Sequence, residues 1–288
     1  FTPVIGIFPQ GERPLYRVTM DDGSNIITDD QHLWAVTARN SKTLVLTTPE
    51  IAATITVSNG ERRALNYKIP QLAPVQHPPR KQEHDPYIIG WWLGDGVSHG
   101  RLDYPELPPA KRALLLGRKH LSLPADLKGL RSYERFIPRR YLYGDVAQRT
   151  ALLQGLLDTD GESVDNGIVY STTSPQLRDH VAEIVRSLGG VARIAQRQTY
   201  YRDKTDRNVA GRISWRLSIS LPDGIVPFRH QEKIARYRPG SHFNRTRKLR
   251  RYIASIESIN PGPSTCIKVA HADELFVAQN HIVTHNTA

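Results

Sequence analysis

Cysteine is nearly absent from this chain of 288 residues. A lone thiol, Cys266, cannot close an internal disulfide, which excludes a cross-linked secreted scaffold and suits a reducing, cytoplasmic setting. Long apolar runs are missing too. None approaches the ~20 residues that span a bilayer, and no signal peptide opens the chain, so no membrane partner is expected. Acidic residues are in the minority: 28 Asp and Glu face 39 Lys and Arg, for a formal charge of +11. That excess favours a polyanionic partner, double-stranded DNA, through counterion release. Much of it is clustered, in PRKQEH, in AKRALLLGRKH, at Arg139 and Arg140, and from Arg245 to Arg251. The length allows about two domains in what is expected to be a monomer, and 20 Gly with 20 Pro suit many turns.

The last residues, HIVTHNTA, place His285 and Asn286 directly before the hydroxyl residue Thr287. An asparagine carboxamide can attack its own main-chain carbonyl, close a succinimide and break the following peptide bond. It needs a proton for the leaving nitrogen and a hold on the oxyanion. His285 can donate, and Thr287 can act as a hydroxyl nucleophile. Taken alone, such a tail would be a polar terminus. Twenty residues upstream, however, Cys266 sits in STCIKVAHADELFVAQNHIVTHN, where apolar residues at 267 and 269, 275–277 and 282–283 are strand-like. This stretch resembles the C-terminal splicing blocks of inteins, which close on His-Asn.

PLYRVTMDDGSNIITDDQHLWAV is consistent with that resemblance. It predicts a strand over Leu15–Met20, an Asp-Gly turn and a second strand from Asn25, followed by His32 and Trp34. Inteins carry here a histidine that polarises the first scissile bond, commonly with threonine three residues before it. This chain has Asp29 instead, a carboxylate expected to fix the His32 tautomer and stabilise its protonated form. Trp34, Cys266 and Thr284 together resemble the tryptophan, cysteine and threonine signature of class three inteins, which lack a first-residue nucleophile. The resemblance implies that Cys266 attacks the upstream peptide carbonyl, with Trp34 and Thr284 positioning the cysteine region. FTPVIGIFPQGERPLYRV resembles the middle of an intein N-terminal region, so the first block and its junction are expected to be missing.

Between these parts, IIGWWLGDG ends at Gly96 and LQGLLDTDG ends at Gly161. Each is an apolar run with an internal glycine, Gly90 or Gly155, closing on Asp95-Gly96 or Asp160-Gly161. The pair resembles the two copies of the LAGLIDADG motif of homing endonucleases. Glycine at a helix interface lets a second helix approach closely. Two aspartates at helix C-termini are disfavoured by the dipole, by roughly 0.3–1 kcal/mol each, and repel one another. A divalent cation between them, Mg²⁺, resolves both problems, so Asp95 and Asp160 are the expected metal ligands and endonuclease residues. After the second motif the pattern predicts a strand near GIVYSTT, a helix from Pro175 to Leu188, and two strands carrying Arg193, Arg197, Gln198, Tyr200 and Arg216 toward DNA. The first half carries no matching unit in full; RFIPRRYL resembles the basic Ile-Pro block between the motifs. The endonuclease could therefore be degenerate.

The expected fold class is α+β: a mostly β Hint-type splicing domain, residues 1–80 and 241–288, interrupted by a mixed α/β LAGLIDADG domain with a pseudo-two-fold repeat at 81–240. The expected catalytic set for splicing is Cys266, Asn286, Thr287, His285, His32, Asp29, Trp34 and Thr284, with no cofactor. The implied partners are flanking exteins of a host, with a weak resemblance to the inteins of DnaB-type replicative helicases. The competing reading is a site-specific DNA-binding or maturase-like protein with inert splicing remnants.

Overall fold

The computed structural model describes residues 2–95, 124–164, 167–202, 205–237 and 249–286. Strands and helices are mixed in an α+β arrangement. The chain divides into two compact units: Phe1–Ala73 with Arg247–Ala288, and Pro74–Thr246. The first division falls inside the proline-rich run QLAPVQHPPRK.

The first unit is built on a long antiparallel ladder. β1 (Val4–Met20) pairs with β11 (Ile253–Val269) from Val4 opposite Val269 to Met20 opposite Ile253. β2 (Asn25–Asp29) adds to the other edge of β1, giving the order β11-β1-β2. The β1–β2 turn runs through Asp21, Asp22 and Gly23. Gly23 has φ +82°, a value glycine adopts without a Cβ clash. Three hairpins complete the unit: β3 (Leu33–Thr37) with β4 (Thr43–Thr47), β5 (Thr56–Asn59) with β6 (Arg62–Leu65), and β12 (Leu275–Val277) with β13 (Val283–His285). Alternation along these strands turns Val18, Met20, Trp34, Val36, Ile253 and Ile282 into one core.

The second unit has a sheet in the order β7-β8-β10-β9: β7 (Gly161–Val164), β8 (Gly167–Thr172), β10 (Asn208–Ser220) and β9 (Val191–Arg202). A helix over Pro175–Ser187 packs on it, N-capped by Ser174, whose Oγ accepts the Leu177 N–H at 3.1 Å. Leu177, Val181, Ile184 and Val185 recur at helical spacing on its buried face. The helices Pro86–Asp95 and Val146–Asp160 pack against each other. Their glycines explain how closely: a Cβ on Gly155 would lie 2.1 Å from the Tyr87 carbonyl oxygen, and one on Gly90 would lie 2.0 Å from that of Leu152. Backbone meets backbone at the crossing, and no larger residue fits either position. No helix among the described residues is long and apolar enough to cross a membrane.

Candidate functional site

In the first unit, β11, β2 and the β12–β13 hairpin surround a cleft of about 210 Å³, lined among others by Asp29, His32, Cys266, Phe276 and Thr284. Residues far apart in sequence meet here because β11 returns beside β1 while β13 runs along β3. Cys266 is buried on β11, 7% exposed. Thr284 is buried on β13; its hydroxyl donates to the Leu33 carbonyl at 3.3 Å and bonds the His32 Nε2. A hydroxyl carries one proton, so with that proton given to Leu33 it accepts from His32, which fixes the Nε2–H tautomer.

Burial lowers the His32 pKa to about 4; Asp29 opposes this and His285 adds to it. The ring is therefore neutral near pH 7, correcting the expectation that Asp29 keeps it protonated: desolvation outweighs the carboxylate. Nor is the Asp29 side chain spent on the ring alone. Its oxygens accept the Gln31 N–H at 3.0 Å and the Ser264 hydroxyl. Trp34 is buried beside His32. Its Nε1–H donates to Thr48 Oγ1 at 3.1 Å, and its ring meets His32 edge to face with centroids 5.1 Å apart. Thr48 in turn donates to the Asp29 carbonyl at 3.0 Å. Thr48 carries no motif signal, and only the fold places it under the tryptophan.

At the C-terminal end, Asn286 is 1% exposed. Its Oδ1 accepts the Val269 N–H at 3.1 Å and its own N–H donates to the Glu274 carbonyl at 2.8 Å. Its Nδ2 is buried without a hydrogen-bond partner among the described residues. His285 Nδ1 lies 2.7 Å from the Asn286 carbonyl oxygen. That oxygen is the one on which an oxyanion would form; the leaving nitrogen, which the sequence suggested His285 serves, belongs to the next residue. Thr287 lies outside the described residues.

In the second unit, the second motif helix ends at Asp160, where the repeat predicts, and the first is described as far as Asp95. Asp160 is exposed, and a Cβ on Gly94 would lie 3.4 Å from its Oδ2, so this carboxylate sits beside the end of the first motif helix, next to Asp95 in the chain. The side chain of Asp95 lies outside the described set. Among the described residues no group of three or more His, Cys, Asp or Glu could hold a metal. Asp158, by contrast, is structural: it accepts the Tyr87 hydroxyl at 2.8 Å and the backbone N–H of Arg229 and His230.

Two basic residues cap the motif helices. Arg135 Nη1 donates to the Leu93 and Gly94 carbonyls at 2.9 and 2.6 Å. Lys233 Nζ donates to the carbonyls of Leu157, Asp158, Thr159 and Gly161, at 2.7 to 3.1 Å. Both satisfy carbonyls that a helix end leaves open. Burial lowers the Lys233 pKa while Asp158, Asp160 and Glu162 oppose it. Lys233 was missed because it stands in QEKIAR, outside any motif. On β9 and β10, Ala195 lies opposite Arg216, so Arg193, Arg197 and Arg216 share one face. Gln198 and Tyr200 lie on the other, which divides the five residues expected to meet DNA together.

Residues 147–230 match a family described as a LAGLIDADG-like domain. That match begins in the second motif helix and runs through β10, so IIGWWLGDG lies upstream of it. The chain is also 28% identical, over 304 aligned positions, to a protein described as replicative DNA helicase DnaB of Mycobacterium intracellulare. The alignment covers 96% of this chain and 50% of that protein, so the chain spans about half the length of the relative it matches.

Proposed function

We propose that the chain is a class three intein of a DnaB-type host, with a LAGLIDADG homing endonuclease carried inside its splicing domain, acting in the cytoplasm. On this reading the first unit is the Hint-type splicing domain and the second the endonuclease. The observation that carries it is Asn286: a buried carboxamide whose nitrogen has no partner among the described residues and whose own carbonyl meets a histidine nitrogen at 2.7 Å. A buried amide nitrogen without an acceptor is costly for stability, and a nucleophile about to attack must be free of one.

The proposed sequence of steps begins at Cys266, whose thiolate attacks the upstream peptide carbonyl and takes that segment as a thioester. Neutral His32, in the same cleft, is in the form that can accept the thiol proton. Thr287 then takes the segment as an ester, Asn286 cyclises and releases the intein, and an acyl shift restores a peptide bond. None of this needs a cofactor. In the endonuclease, Asp95 and Asp160 would hold Mg²⁺, which when bound supplies activation of water and charge neutralisation at double-stranded DNA. Lys233 keeps the end of the second motif helix in place beside Asp160.

The test is intact mass analysis of the chain flanked by reporters, for the native sequence, Cys266→Ala and Asn286→Ala. Ligated reporters in the native protein alone, with Asn286→Ala blocked at the C-terminal junction, are expected. Unprocessed native precursor would overturn the reading in favour of a DNA-binding protein with inert remnants.

A further inference from the structure

Glu274 lies in the turn before β12 with φ +55°, a left-handed conformation that non-glycine residues seldom adopt. Held that way, it makes two contacts with the C-terminal residues. Its carbonyl takes the Asn286 N–H at 2.8 Å, and its carboxylate Oε2 lies 3.6 Å from His285 Nε2. One residue thus holds both the cyclising asparagine and the histidine before it. We infer that Glu274 is a positioning residue for C-terminal cleavage, holding His285 as an imidazolium whose Nδ1–H points at the Asn286 carbonyl. This rests on the splicing reading above.

The argument is one of hydrogen inventory. A carbonyl oxygen only accepts, so His285 Nδ1, 2.7 Å from the Asn286 oxygen, must donate. In a neutral ring Nε2 would then turn a lone pair toward the Glu274 carboxylate, which is repulsive. In the imidazolium both nitrogens carry hydrogen, and the Glu274 contact becomes an ion pair. His32, which interacts electrostatically with His285, is itself neutral near pH 7, so it adds no competing charge. On the same turn as Glu274, His271 and Asp273 face each other at 3.8 Å. In the step itself, the Asn286 Nδ2–C bond forms and the C–N bond to Thr287 breaks. Nδ2 loses one proton and the leaving nitrogen gains one, so no co-reactant is consumed. The imidazolium stabilises the oxyanion of the tetrahedral intermediate and carries a proton available as it collapses.

The experiment follows C-terminal cleavage by intact mass from pH 5 to 8.5 in the reporter-flanked chain, for native protein, Glu274→Gln, Glu274→Asp and Asn286→Ala. Glu274→Gln should be slower by about 2- to 5-fold at pH 7.5, as expected for losing one partly exposed ion pair, and should match native at pH 5, where solvent protons load the ring. Glu274→Asp should recover part of the rate. Equal rates for Glu274→Gln and native at every pH, or the same deficit at every pH, overturn the inference while leaving splicing intact. Absence of cleavage in the native chain, or cleavage that survives in Asn286→Ala, instead overturns the splicing reading and this inference with it.

Discussion

Acid should unfold the first unit through His32, by an amount the structure lets us work out. The ring has a pKa of about 4 in the folded protein against an ordinary 6.5, chiefly because burial opposes its charge. Above pH 6.5 the imidazole is neutral in both states and contributes no pH dependence. As pH falls from 6.5 toward 4 the unfolded chain takes up a proton that the folded chain refuses, so folding is penalised progressively. At 1.36 kcal/mol per unit, the full penalty is about 3 kcal/mol below pH 4, and about 2 kcal/mol has accrued by pH 5. Cys266 supplies a local probe, because the only thiol in the chain is buried in this unit. Urea unfolding would be followed by its reaction with a disulfide reagent that works in acid, at pH 7 and pH 5, for native protein and His32→Gln. Glutamine can still donate to Thr284 but does not titrate, and the remaining histidines cancel in the difference. Native protein should lose about 2 kcal/mol more than the variant between the two pH values. A difference that stays constant with pH would refute the claim that His32 is held neutral by burial.

Gly155→Ala should cost the second unit about 3 kcal/mol or more, since its Cβ would fall 2.1 Å from a backbone oxygen of the partner helix; an unchanged melting temperature would show that the helices can separate cheaply. Chelation by EDTA, or Asp160→Asn, should reduce plasmid cleavage by about 100-fold or more while leaving reporter ligation unchanged. Loss of both activities together would contradict the division of labour between the units.

Much of the local structure is readable from residue order. The Asp-Gly turn between β1 and β2 and the halt of the Pro175–Ser187 helix before Gly189 and Gly190 follow from turn chemistry. So does the approach of the motif helices at Gly90 and Gly155. The reach of β1 does not. Gly6, Pro9, Gly11 and Pro14 read as strand breakers, yet the strand runs unbroken from Val4 because register shifts against β11, such as those between Pro9 and Gly11 and between Arg13 and Leu15, absorb them. Within the sites, residues with their own motif could be named in advance. Thr48, Lys233 and Glu274 could not, because each acts by filling an open hydrogen-bonding position that exists only after distant segments meet. The charge of His32 escaped the sequence for a related reason: Asp29 is visible three residues away, whereas burial is not.

The β1–β11 ladder joins chain segments that lie on opposite sides of residues 74–246. A break anywhere inside the second unit would leave two polypeptides, one carrying β1 and the other β11. Each would then present an unpaired edge whose sequence-matched partner is the other fragment. Such halves should find one another when expressed separately, so the same ladder that tolerates an insertion would also let the protein be made in two pieces and reconstituted by mixing.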